Sequence, residues 1–286
     1  MATRKWKEAA VIARRDEDLS KRSSLGTGGK AEYFAEPRSI GELHGVLHDA
    51  SDHKLAISVL GAGTRTIIPD EGVKGLVIST AALKGLREQG AVLTCSPGES
   101  LDNVINFAID HQLQGLGSFG GYPGTVGGAV AMDAEAHGFS LRSFLLYADF
   151  LTAGGSFIRR RGKDFRINPK EIVTSLTFRL KPFRYTAEAR MRKERFLEEI
   201  FIPPCPRYAG NVFKNPEAPE LLKAYNLTGP NGTKAEFSTY QPGYIFTYPG
   251  CTSKEVLDLI HKAETAIPDK LVRAVTVLGR PGQGDA

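Results

Sequence analysis

The sequence predicts an α+β fold built from three lobes, and three observations carry that expectation. Short β-rich runs alternate with amphipathic helical stretches along most of the chain. The chain has 286 residues, enough for two or three domains with a sizeable core. Glycine is over-represented, at 31 of those 286 residues against a usual share of roughly 7%, and much of the excess falls in two loops.

Residues 1–16 read as a polar lead-in with charge but no following apolar segment, unlike a secretory signal. The first lobe, 17–81, starts with a glycine-rich turn, Gly26-Thr27-Gly28-Gly29, and a strand over 31–35. Ser39-Ile40-Gly41-Glu42 has capping-box spacing and opens a helix to about residue 51, with Ile40, Leu43, Val46 and Leu47 on one face. Strands over 56–60 and 75–79 close the lobe.

The second lobe, 82–185, has a strand over 91–95, a helix from Ser100 to about Gln112, and strands over 144–152 and 172–180. Between them lies the densest glycine stretch, with Gly115, Gly117, Gly120, Gly121, Gly124, Gly127 and Gly128. Its composition predicts an irregular loop, too rich in glycine for a helix and too long for a turn. A charged helix over 184–200 leads to the third lobe, 186–286. There the pattern predicts a helix over 219–225, a second opened by the capping box Thr252-Ser253-Lys254-Glu255, and a strand over 274–278.

Lys and Arg number 37 against 32 Asp and Glu, a net charge of +5. That mild excess suits an anionic ligand and does not by itself indicate nucleic acid. No apolar run approaches the roughly 18–20 residues of a membrane span. Cys95, Cys205 and Cys251 are far apart and form no CxxC pair, so neither a disulfide framework nor a metal site is expected. The expected setting is cytoplasmic.

Gly61-Ala62-Gly63-Thr64-Arg65 follows a strand directly. Such a loop either makes a tight turn or offers backbone N–H groups and a hydroxyl to a phosphate. It lacks GxGxxG spacing, which lowers a nicotinamide-binding Rossmann reading. The stretch from Gly120 to Met132 either crosses the core or exposes several donors to a pyrophosphate or a flavin edge.

Four landmarks then occur in one order: Ser24-Leu25-Gly26-Thr27-Gly28-Gly29-Lys30-Ala31; Leu60-Gly61-Ala62-Gly63-Thr64-Arg65 with Asp70 and Gly75-Leu76-Val77-Ile78; Gly121-Tyr122-Pro123-Gly124-Thr125-Val126-Gly127-Gly128-Ala129-Val130-Ala131-Met132; and Ala209-Gly210-Asn211-Val212-Phe213-Lys214-Asn215-Pro216. Together they resemble the bacterial UDP-N-acetylenolpyruvylglucosamine reductases (UDP-N-acetylmuramate dehydrogenases) over roughly residues 17–280. The resemblance implies a vanillyl-alcohol-oxidase-like fold whose first two lobes grip noncovalent FAD, with the third covering it from the substrate side. Gly61, Ala62, Gly63, Thr64, Arg65 and Thr66 would cradle the pyrophosphate. Gly120, Gly121, Pro123, Gly124, Thr125, Gly127, Gly128, Ala129, Met132 and Val173 would line the flavin, and Lys214, Asn215 and Tyr244 would meet the substrate. In the family, NADPH reduces FAD, the flavin passes hydride to an enolpyruvyl double bond, and a serine supplies the proton with a glutamate and an arginine assisting.

The sequence departs from that pattern where the chemistry sits. Asn211 stands at the serine position, and an amide is no general acid at neutral pH. Ala274 stands at the glutamate position, and only Arg166 is available near the arginine position. The family's His-x-Asn-Phe segment reads Gln241-Pro242-Gly243-Tyr244, while Asp133 and Glu135 replace an Asn and a Gly. Asn211, Arg166 and Tyr208 are therefore the catalytic candidates. Tyr208, Tyr240 and Tyr244 read equally as packing, Lys214 as a surface lysine, and Cys205 as a free buried thiol. Arg159–Arg161 and the charges of 184–195 read as solvated faces, and His137 as a weakly supported proton carrier. The expected protein is a monomeric FAD oxidoreductase acting on a small, anionic or nucleotide-linked substrate, without nucleic acid or membrane. Three versions stay open: a reaction diverged from the family's, the family reaction with water or Tyr208 as acid, and a non-catalytic flavin-binding homologue.

Overall fold

The computed structural model describes residues 13–168, 171–184, 187, 190–191, 193–195 and 207–279. The chain divides into two compact units. One holds Ala13–Arg14, Tyr33–Ala62 and the described part of Gly75–Ile200; the other holds Arg15–Glu32, Gly63–Lys74 and the described part of Phe201–Ala286. The first expected lobe therefore contributes to both. Arg14–Asp18 forms a strand, so the expected lead-in ends at most before Arg14. Cys205 and much of the expected 184–200 helix lie outside the described residues.

In the first unit, α1 (Ile40–Asp52) starts at Ser39, whose hydroxyl accepts from Glu42 N at 3.1 Å. The return arm of the box is displaced by one residue, since Glu42 Oε2 accepts from Arg38 N at 2.8 Å. Leu43, Val46, Leu47 and Ala50 are buried, the stripe expected of helical spacing. Strand β1 (Ile57–Leu60) pairs in parallel with β2 (Val73–Ser79), Leu60 opposite Ser79.

A five-stranded sheet forms the rest of the scaffold, in the order β6-β5-β7-β4-β3. These strands are β3 (Leu86–Gln89), β4 (Val92–Cys95), β5 (Leu145–Thr152), β6 (Phe157–Arg161) and β7 (Glu171–Arg179). Every pairing in it is antiparallel. Its core includes Phe119, Phe150 and Phe178, each fully buried, and each contributes about 1.5–3 kcal/mol by leaving water. Helix α2 (Leu101–Asp110) is capped by Ser100, which accepts from Asn103 N at 3.1 Å.

The glycine-rich stretch corrects one expectation. Val126–Ala131 is a helix, α3, in spite of Gly127 and Gly128. Thr125 caps it by accepting from Gly128 N at 3.3 Å, and Val126 and Val130 are fully buried. A side-chain cap and two core anchors outweigh the glycine penalty of about 1 kcal/mol each.

In the second unit, a three-stranded sheet has the order β8-β10-β9, from β8 (Tyr208–Ala209), β9 (Ala235–Phe237) and β10 (Ile245–Thr247). Helix α4 (Ala218–Ala224) and helix α5 (Ser253–Ala266) supply Leu222, Val256 and Ile260 to its core. The Thr252–Glu255 capping box of α5 has both arms. Asp70 strengthens it, taking Ser253 N at 2.8 Å and Lys254 N at 2.9 Å on its two carboxylate oxygens, a favourable charge for a helix N-terminus. The last strand, β11 (Thr276–Val277), is shorter than expected and pairs in parallel with Thr66–Ile67.

Candidate active site

Within the first unit the two glycine loops meet. An ideal Cβ on Gly61 would lie 2.8 Å from Thr125 Oγ1, so the Gly61 position must stay bare for the loops to touch. The 120–129 loop is pinned to the start of α2: Val126 N donates to Glu99 O at 2.8 Å, Gly127 N to Pro97 O at 2.9 Å, and Leu101 N to Gly124 O at 3.2 Å. A Cβ on Gly127 would strike Pro97 Cβ at 2.7 Å, and one on Gly120 would press on Lys193 Cγ at 3.0 Å. Gly127 is thus required by packing within the chain, and Gly120 is closely packed. Lys193 is itself held by Asn106 Oδ1 at 2.7 Å and Asp102 Oδ1 at 2.5 Å.

Gly120, Gly127 and Ala129 spend their amides inside the loop or on its support, and Met132 N donates to Gly128 O. Among the described residues, the amides of Gly61, Ala62, Gly121, Gly124 and Thr125 have no protein acceptor. Gly121 and Gly124 have φ of +76° and +126°, a region that glycine enters readily. Unpaired backbone donors clustered on partly exposed glycine loops suit a negatively charged or hydrogen-bonding cofactor. The residues present therefore fit FAD. Pro123 is exposed, Met132 is the half-buried C-cap of α3, and Val173 is half-buried on β7 opposite Phe150. Arg166 is an exposed loop residue of this unit whose carbonyl accepts from Arg160 Nη1 at 3.5 Å.

In the second unit Ser24 ties the first and second landmarks to Tyr208, the residue just before the fourth. Its amide donates to Gly63 O at 3.1 Å, and its hydroxyl lies 2.7 Å from Tyr208 O and 3.2 Å from Thr64 O. Tyr208 N returns a bond to Ser24 O at 3.1 Å. Gly63 has φ +68°, and a Cβ there would overlap Arg22 O. Arg65 O accepts from Thr276 N at 3.1 Å, and Thr66 pairs with Thr276.

The Asn211 position is built by three short backbone links. Val212 N donates to Gly243 O at 2.9 Å, Ala274 N to Val212 O at 2.7 Å, and Lys214 N to Val272 O at 2.7 Å. Three positions where the sequence departs from the family pattern meet this ladder: Gly243 packs against the Asn211 side chain, and Ala274 is bonded to Val212, the residue after Asn211. Asn211 and Lys214 are exposed, whereas Gly243 and Ala274 are buried. Asn215 Oδ1 accepts from Val272 N at 2.6 Å, so this oxygen extends the backbone ladder. Tyr208 and Tyr244 are half-buried with parallel rings, 6.0 Å between centroids and 6° between planes.

The FAD binding domain family matches residues 31–160, a range that contains both loops of the first unit. The UDP-N-acetylenolpyruvylglucosamine reductase of Thermus caldophilus has a TM-score of 0.77 at 25% identity, over 93% of this chain and 99% of that one. The UDP-N-acetylenolpyruvoylglucosamine reductase of Lactobacillus acidophilus is 28% identical, over 92% of this chain and 93% of its own. That of Streptococcus thermophilus (strain CNRZ 1066) is 32% identical, over 87% of this chain and 86% of its own. This chain belongs to the UDP-N-acetylenolpyruvoylglucosamine reductase family.

The reductase family membership establishes an FAD-dependent oxidoreductase with the vanillyl-alcohol-oxidase-like fold and α+β content. The motifs of this reductase fold were legible in sequence, but two of their supports were not. Ser24 lies in the first landmark, whose motif implies no role for it, and the resemblance that makes Thr125 a flavin contact says nothing of its cap. Among the described residues no group of three or more His, Cys, Asp or Glu is placed to hold a metal. No described helix is long and apolar enough to cross a membrane.

Proposed function

We propose that this protein is a cytoplasmic, monomeric FAD oxidoreductase that accepts hydride from NADPH and acts on a small anionic or nucleotide-linked substrate by a reaction diverged from its family's. Bound FAD supplies the hydride acceptor and donor. The amides of Gly61, Ala62, Gly121, Gly124 and Thr125 bind and orient it, and Lys214 attracts an anionic substrate.

The observation that carries the divergence is Asn211 packed against Gly243, with Ala274 bonded to the next residue, Val212. Reducing an enol ether double bond by hydride generates a carbanion-like centre that needs a proton. Asn211 can hold a carbonyl or hydroxyl by hydrogen bonds but cannot protonate carbon. Ala274 is buried and offers no acid. A second reading, retention of the family reaction, is favoured by similarity that extends over nearly the whole of the reductases compared. Tyr208 or water would then be the acid.

The test separates the half-reactions. Purified protein is expected to carry the two visible absorption bands of oxidised flavin and to be bleached by NADPH without oxygen. UDP-N-acetylenolpyruvylglucosamine is then expected to restore the colour only slowly. Steady turnover of that substrate near the enzyme median of about 10 per second would overturn divergence and leave the second reading. Absence of bound flavin, or of any bleaching, would point to a non-catalytic homologue.

A further inference from the structure

Arg142 lies beyond the glycine-rich loop and reaches back to its far end. Its Nε donates to Val130 O at 2.8 Å and its Nη2 to Ala131 O at 2.7 Å. Its Nη1 is 3.8 Å from Asp133 Oδ2, and its Cζ is 4.9 Å from the centroid of the Phe165 ring. Asp133 is held in turn by Ser140, whose Oγ donates to Asp133 Oδ1 at 2.6 Å.

Val130 and Ala131 are the last two residues of α3. Terminal carbonyls of a helix have no intrahelical donor, and a cation suits that end of the helix dipole. Val130 O also accepts from Asp133 N at 3.1 Å; the planar guanidinium bridges this carbonyl to that of Ala131, in a geometry lysine cannot copy. At the other end α3 is held by the Thr125 cap and by the bonds of Val126 and Gly127 to Glu99 and Pro97. Six residues with two glycines do not hold a helix unaided. The unpaired amides of Gly121, Gly124 and Thr125 lie immediately before this helix, so their directions depend on its being clamped.

We infer that Arg142 is a positioning residue for the cofactor: it fixes α3 from behind, and thereby presents the loop amides to FAD. The inference rests on the proposed role of the 120–129 loop as part of the FAD cradle. Arg142 Nε and Nη2 are committed to the carbonyls of α3, so its effect is on how well the cradle is organised before binding.

The full chain, stripped of flavin and titrated with FAD, tests this through quenching of flavin fluorescence and the visible circular dichroism of the bound flavin. Arg142→Lys keeps the charge and loses the paired contacts. It is expected to raise the FAD Kd about tenfold and alter the dichroism, with Arg142→Gln at least as weak. Arg160→Lys is the matched structural control. It loosens the Arg160–Glu171 pair of the same unit and is expected to lower thermal stability while leaving Kd within about twofold. The inference is overturned if both Arg142 variants bind FAD like the parent, or if Arg160→Lys weakens FAD equally. Gly61→Leu, which drives a side chain into Thr125, checks the cradle itself. Weak binding there with normal binding in Arg142→Lys sinks the Arg142 inference alone, whereas normal binding in Gly61→Leu sinks the cradle reading and this inference with it.

Discussion

Asn211 and Gly243 interlock. A Cβ placed on Gly243 would fall inside contact distance of Asn211 Oδ1, while Gly243 O accepts from Val212 N at 2.9 Å. The glycine is therefore the partner that makes room for the amide. Gly243→Ala is expected to swing the exposed Asn211 side chain away at a cost of up to about 1 kcal/mol in stability. Asn211→Ser in the same background should recover much of that loss, because serine is shorter. Urea unfolding of the two single variants and the double variant measures this coupling; strictly additive effects would refute the interlock.

Ser24 links segments that are distant in the chain, Gly63–Thr64 and Tyr208. Its hydroxyl is shared between two carbonyls, so Ser24→Ala leaves both without that donor. The expected loss is about 1–2 kcal/mol, seen as a lower urea midpoint with an unchanged slope. Ser24→Thr keeps the hydroxyl and should recover at least half of it. Equal losses in the two variants would assign the effect to volume instead of hydrogen bonding.

The contrast between α1, α2 and α5 on one side and α3 on the other shows what sequence could reveal. Ser39, Ser100 and Thr252 announce their helices because a cap and an apolar stripe are local features, read within one or two turns. Thr125 is also a cap, but the glycines after it hide the helix, whose burial comes from the distant β-sheet core. A two-residue strand such as Tyr208–Ala209 is too short to show any alternation, whereas Thr276–Val277 falls inside the apolar run expected as a strand over 274–278. The flavin loops were legible as motifs. That Gly61 must be bare because of Thr125, or Gly127 because of Pro97, is a contact between segments and has no local signature. The same holds for Asn215, whose carbonyl oxygen extends a backbone ladder to Val272.

The Cys251 thiol is half-buried, and burial, reinforced by the nearby Glu255 carboxylate, pushes its pKa up to about 12. Cys95 is fully enclosed and moves in the same direction for the same first reason, with Glu99 adding to it. The thiolate is the reactive form, so native Cys95 and Cys251 should resist iodoacetamide at pH 8. In urea both should label at the rate of an ordinary thiol. Peptide mapping of the labelled sites checks each cysteine separately; rapid native labelling of Cys251 would contradict this environment.

Arg160 and Glu171 form the best enclosed ion pair of the first unit, with side chains only 11% and 9% exposed. Two bonds join them, at 2.6 and 2.8 Å, and the guanidinium also lies 4.7 Å from the centroid of Phe150. The hydrogen bonds from Arg160 hold the Glu171 carboxyl below the usual range, against the opposing effect of burial. A carboxyl lowered on folding contributes stability that is complete above its unfolded pKa of about 4.3 and is lost as pH falls through the folded value. The parent should therefore exceed Glu171→Gln by about 1–3 kcal/mol near neutrality. That gap should stay flat down to about pH 5 and close steadily toward pH 3. Urea midpoints of both proteins across this range measure it; a gap independent of pH would mean that Glu171 acts through shape and neutral hydrogen bonding, not through its charge.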